Sequence, residues 1–133
     1  MLEIHKLLRT ALRANAAFSM ASGFALLLFA DFFQKLLGLD YFALAVLQLI
    51  GASLIGFSTA LALLSLRRRV RPAWIHGIIA LDGLWVIGSI ALILAQVFSE
   101  AGGMVVGLVA LVVLTFALLQ FAGLRPPGEQ ERA

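Results

Sequence analysis

The chain has 133 residues, of which 62% are hydrophobic and 13% charged, with ten Phe, no Cys and a mean hydropathy of +1.05. A soluble domain carries about 25% charged residues, and one small core could not hide this much apolar mass from water. Disorder, a disulfide scaffold and cysteine-based zinc or thiol chemistry are excluded together, and the class is integral membrane.

In chain order, residues 1–13 read as an amphipathic lead-in. Ile4, Leu8 and Leu12 fall on one helical face and Lys6, Arg9 and Arg13 on another, the pattern of an interfacial cytoplasmic helix. The same residues also fit a first span that simply starts early. A membrane helix needs roughly 20 apolar residues, and four stretches qualify: Ala14 to Phe33, Tyr41 to Leu66, Ala73 to Phe98 and Met104 to Leu124. The first break, Asp31 to Asp40, contains Gly38 and lets Asp31 cap a short turn carrying Phe32, Phe33, Leu36 and Leu37 at the outer headgroup level. In the second, Arg67-Arg68-Arg69-Val70-Arg71 is too costly to bury, and Pro72 suits a first helical turn. Ser99 to Gly103 reads as a tight polar turn. Gly123 and Pro126-Pro127 stop the last helix and leave a cytoplasmic tail over 125–133. The first span has a basic flank like a signal peptide, but Asn15, Ser19 and Ser22 interrupt it and no A-x-A site follows, so it is expected to be retained.

These elements predict an all-α, four-helix membrane bundle in a single domain. Lys6, Arg9, Arg13, Arg67, Arg68, Arg69, Arg71, Arg125 and Arg132 flank one side of the spans and only Lys35 the other. That bias places both termini in the cytoplasm. The pI near 10.2 therefore reflects membrane borders and not a nucleic-acid partner. Arg67, Arg68, Arg69 and Arg71 are the candidates for contact with anionic headgroups, near 1 kcal/mol each.

The intramembrane polar residues form the candidate site. Asp82 lies ten residues past Pro72, about 15 Å along a helix. A carboxylate at such a depth costs about 2.5–3.5 kcal/mol on the mildest scale, so Asp82 must face the bundle interior, find partners or stay protonated. Trp85 and Ser89 share its stripe. Asn15, Ser19 and Ser22 form an i, i+4, i+7 stripe on span one, and span four offers Gln120. The Asn15 amide and the Trp85 indole N–H can both donate to Asp82. Span three also lies over span one without a gap: Asn15-Ala-Ala-Phe18-Ser-Met-Ala21-Ser22 matches Asp82-Gly-Leu-Trp85-Val-Ile-Gly88-Ser89. Such a match fits a parallel two-plus-two helix repeat, and also a chance likeness between two apolar stretches of low complexity. Small residues, Ala52-x-x-x-Gly56-x-x-x-Ala60 on span two and Gly103, Gly107, Ala110 and Ala117 on span four, mark faces for close packing within the chain or against a second copy.

Catalytic signatures are missing. There is no H-E-x-x-H, glycine-rich phosphate loop, G-x-S-x-G or C-x-x-C, and His5 and His76 are not placed as a haem pair. No enzyme activity, cofactor or metal is expected. In size and four-span layout the chain resembles the small multidrug-resistance transporters, whose acid, a Glu in the first span, is replaced here by Asn15, with Asp82 in span three. It is similar in general form to DoxX-like bacterial membrane proteins. The stretch from Asn15 to Gly23, with Asp82 to Ser89 and the late Gln120, resembles most a group of uncharacterised small four-span bacterial inner-membrane proteins. That resemblance covers most of the chain and implies a fold without an activity. The expectation is a non-enzymatic structural or accessory protein of the bacterial inner membrane, surrounded by lipid and held to itself or to a larger membrane complex. The alternative is a small proton-coupled transporter or channel-like protein using Asp82.

Overall fold

The structure, a computed structural model, describes residues 2–125; the Pro126-Pro127 stop, Arg132 and the tail beyond Arg125 lie outside them. The elements are β1 (Leu2–Glu3), α1 (Lys6–Leu28), α2 (Ala30–Leu37), α3 (Ala43–Ser65), β2 (Arg69–Val70), α4 (Pro72–Leu94) and α5 (Glu100–Ala122). Helices α1, α3, α4 and α5 have 23 residues each and are apolar enough to cross a membrane. At 1.5 Å rise each is about 35 Å long, against a hydrocarbon core of about 30 Å. The protein is an all-α membrane bundle whose large apolar side chains face outward. Phe42 is 90% exposed and Leu94 77%, while the interior combines leucines and isoleucines such as Leu8, Leu12, Leu61 and Ile75 with a few polar groups.

The amphipathic lead-in does not form a separate interfacial helix. The helix runs unbroken from Lys6, and Ile4, Leu8 and Leu12 are buried against Leu61 and Leu64 of α3 and Ile75 and Ile78 of α4. The apolar stripe that suits a lipid interface suits a helix groove equally well, and here the protein itself covers it. Ahead of α1, β1 pairs antiparallel with β2, Leu2 opposite Val70 and Glu3 opposite Arg69. The Ile4 N–H continues the ribbon by donating to the Arg68 carbonyl at 2.9 Å. Arg9 donates to the Ser65 carbonyl, to that of Arg67 at 3.2 Å and to that of Ile4 at 3.3 Å. A cation thus satisfies carbonyls left open at the end of α3, where the helix dipole also favours positive charge. These contacts gather the start of the described chain and the arginine loop at one end of the bundle.

At the opposite end the span boundaries differ from those expected. Asp31 lies inside the first turn of α2 and does not cap it; Phe29 holds the cap position, without a side-chain bond. Gly38, at φ 70°, ends α2, with Gly38 N–H donating to Lys35 and Leu39 N–H to Gln34. This paired closure needs a left-handed residue, which glycine adopts freely. Phe32 is exposed as expected at an outer interface, but Leu37 is buried with Ala30 and Leu47. Helix α4 stops at Leu94, before Phe98, because Gln96 takes φ 58° and closes it in the same paired way through Ile93 and Leu92. Helix α5 then starts at Glu100, not Met104. Ser99 caps it, accepting from Gly102 N–H at 3.0 Å while its own hydroxyl donates to the Leu36 carbonyl at 2.9 Å.

The closely packed helix pairs are α1 with α3, α4 with α5 and α1 with α5. Backbones approach through glycine. A Cβ on Gly23 would sit 2.8 Å from the Gly51 carbonyl oxygen, and one on Gly51 would sit 2.7 Å from that of Gly23. The expected stripe of Ala52, Gly56 and Ala60 instead faces outward, and a Cβ on Gly56 would meet nothing within 4 Å. Gly51→Val should therefore lower stability in micelles by about 1–3 kcal/mol through overpacking. Gly56→Val, the matched control on the open face, should stay within about 0.5 kcal/mol of the parent. Reversible unfolding by titrated denaturing detergent measures both.

Candidate functional site

The three elements that meet around Asp82 are α1, α4 and α5. Asn15 and Ser19 stand one turn apart on the buried face of α1, Asp82 on that of α4 and Gln120 in the last turn of α5. Asn15 is 1% exposed, Asp82 4%, Ser19 6% and Gln120 0%, so all four are withdrawn from lipid. The Ser19 hydroxyl donates to Asn15 Oδ1 at 3.0 Å. This fixes the amide with its NH2 toward the other helices. Asn15 Nδ2 then donates to Asp82 Oδ2 at 2.9 Å and to Gln120 Oε1 at 3.0 Å. Gln120 Nε2 closes the ring by donating to the same Asp82 Oδ2 at 2.9 Å. Each amide uses its oxygen as acceptor and its nitrogen as donor, and two uncharged donors converge on one carboxyl oxygen.

The packing beyond supports this register. Phe18, one turn past Asn15, meets Phe116, one turn before Gln120, with ring centroids 5.7 Å apart and planes inclined at 60°. Toward the basic end, a Cβ on Gly123 would lie 2.9 Å from Leu8 Cα, so α1 and the end of α5 also approach through glycine.

Other sequence candidates stand apart from the cluster. The Trp85 N–H is buried with no hydrogen-bond partner among the described residues, so it does not reach Asp82. Ser89 is buried and Ser22 half-buried, and neither side chain bonds to another residue of the cluster. Two further polar residues of the spans, Thr59 and Thr115, are exposed and donate to carbonyls of their own helices at 2.8 and 2.9 Å. Arg67, Arg68, Arg69 and Arg71 are all exposed at the basic end, with Arg69 3.8 Å from Glu3. Sequence reasoning treats Arg9 only as an orienting charge and misses its bonds to the end of α3. A cation one turn inside a helix, ahead of a helix-terminal serine, is a faint signal that only the paired geometry makes legible.

Comparison with protein-family models, curated proteins and solved structures finds no match to this chain.

Within the cluster Asp82 accepts both of its bonds at Oδ2. Asp82→Asn should stay within about 0.5 kcal/mol of the parent, because an amide oxygen can accept the same two bonds. Asp82→Leu should cost about 1–2 kcal/mol, since Gln120 Nε2 loses its acceptor and Asn15 keeps one bond of two. Unfolding in bicelles distinguishes these outcomes, and equal losses in the two variants would contradict the geometry.

Proposed function

We propose that the protein is a non-enzymatic, multi-pass component of a bacterial inner membrane, a structural or accessory subunit held to itself or to a larger membrane complex. The observation that carries this reading is the closed polar ring. Asn15, Asp82 and Gln120 join three helices: Asn15 donates to both Asp82 and Gln120, and Gln120 donates to Asp82. Interhelical hydrogen bonds of this kind contribute about 0.6 kcal/mol each on average, a modest term suited to fixing helix register. The groove between α1 and α3 is lined by residues from Arg13 to Met20 and from Ser58 to Ser65, and none of the ring's residues borders it. Both chain ends lie in the cytoplasm in this reading, consistent with the arginines gathered at one end.

The competing reading is proton-coupled transport through Asp82, for which a buried acid is the motive. Proteoliposome flux separates the two. The structural reading expects no proton movement above that of empty vesicles and no difference between parent and Asp82→Asn. It also expects partners, or a second copy, to co-purify in mild detergent. Acidification that depends on Asp82 would overturn it. Reporter fusions after Ala133 and at Gly102 should lie on opposite sides of the membrane; the same side for both would refute the topology.

A further inference from the structure

Helices α1 and α3 touch tightly at two levels, through Gly23 and Gly51 and through Arg9 and the Ser65 carbonyl. Between those levels the facing side chains are small, with Ala16 and Ala17 on α1 and Ala62 on α3, and the surface recedes into a groove of about 290 Å³. Its hydroxyls are already engaged: Ser58 donates to the Ile55 carbonyl at 2.9 Å and meets Met20 Sδ of α1 at 3.5 Å at the inner end of the groove, and Ser65 donates to Ala62 at 2.7 Å. The trough therefore presents apolar surface along most of its length. Its one charge is Arg13, which borders the groove beside Ser65, the last residue of α3. Arg13 is exposed and makes no hydrogen bond or ion pair among the described residues, in contrast to Arg9 one turn earlier.

We propose that this groove is a site for one phospholipid of net negative charge, its phosphate on Arg13 and one acyl chain lying along Ala16, Ala17, Met20 and Ala62. Charge complementarity selects the occupant. Lys6, Arg9, Arg13, Arg67, Arg68, Arg69, Arg71 and Arg125 share this end of the bundle with a single described acid, Glu3, which already faces Arg69. Volume selects how it binds. Pockets for drug-sized ligands run from about 300 to 1,000 Å³, so this trough takes one chain and leaves the headgroup outside. The end of α3 marks the border of the hydrocarbon, the level at which a lipid phosphate meets a guanidinium. A second copy of the chain laid in the groove would leave Arg13 without its anion.

Lipid titration of the purified protein in micelles, read by native mass spectrometry, tests this. The probes are dioleoylphosphatidylglycerol, dioleoylphosphatidylcholine, dioleoylglycerol and soluble glycerophosphate. One phosphatidylglycerol should bind about five-fold more tightly than phosphatidylcholine, the scale of one cation at the surface. Dioleoylglycerol, without phosphate, and glycerophosphate, without chains, should both bind more weakly. Arg13→Gln should abolish the preference and Lys35→Gln, at the opposite end, should keep it. Ala17→Leu with Ala62→Leu fills the trough at two exposed positions and should remove the bound lipid. An undiminished preference in Arg13→Gln, lipid retained in the filled variant, glycerophosphate binding as well as phosphatidylglycerol, or a dimer that the filled variant dissociates would each overturn the assignment.

Discussion

The energetic cost of an acid inside a membrane is the constraint on which the rest of this bundle depends. Asp82 cannot face lipid without a penalty of a few kcal/mol, and the protein meets that cost with two amides on two other helices. The solution is directional. Ser19 holds the Asn15 oxygen, so the nitrogen must point inward, and Gln120 must then offer its oxygen to Asn15 and its nitrogen to Asp82. Rotating or sliding any one of α1, α4 and α5 by a turn would leave a buried polar group unpaired. The ring supplies register, while most of the cohesion comes from close packing.

That packing follows the rule for helices in lipid. With no hydrophobic drive between helices, contact must come from backbone approach and van der Waals complementarity. Gly23 against Gly51 brings α1 onto α3, and Gly123 against Leu8 brings the end of α5 onto the start of α1. Both bundle ends are then closed by polar bonds, Arg9 onto the end of α3 at one and Ser99 between α2 and α5 at the other. The polar ring lies between these closures, and the outer surface is left to large apolar side chains.

Much of this was legible in the sequence because membrane spans and misplaced polar groups are strong signals. The four spans follow from apolar runs bounded by charge. Asp82, Asn15, Ser19 and Gln120 stand out as polar residues inside them, and the need of Asp82 for donors points to Asn15. The helix ends were less legible. Gln96 closing α4 and Ser99 opening α5 depend on local backbone geometry that ordinary residues also provide elsewhere. Glycine partners were not readable either, since Gly51 and Gly56 look alike until the rotation of α3 is known, and the more regular spacing of Ala52, Gly56 and Ala60 belongs to the outer face. For residues 1–13, amphipathicity fixes a face but not what covers it, and Leu61, Leu64, Ile75 and Ile78 cover it here.

A double-mutant cycle between Asn15 and Asp82 in bilayers tests the central claim most directly. Asn15→Ala, Asp82→Ala and the pair would each be unfolded reversibly, and the non-additive part isolates the bond across α1 and α4. The account predicts a favourable coupling of about 0.6 to 1.7 kcal/mol, from the average to the upper end for interhelical hydrogen bonds in lipid. Strict additivity, with the pair losing the sum of the singles, would contradict it.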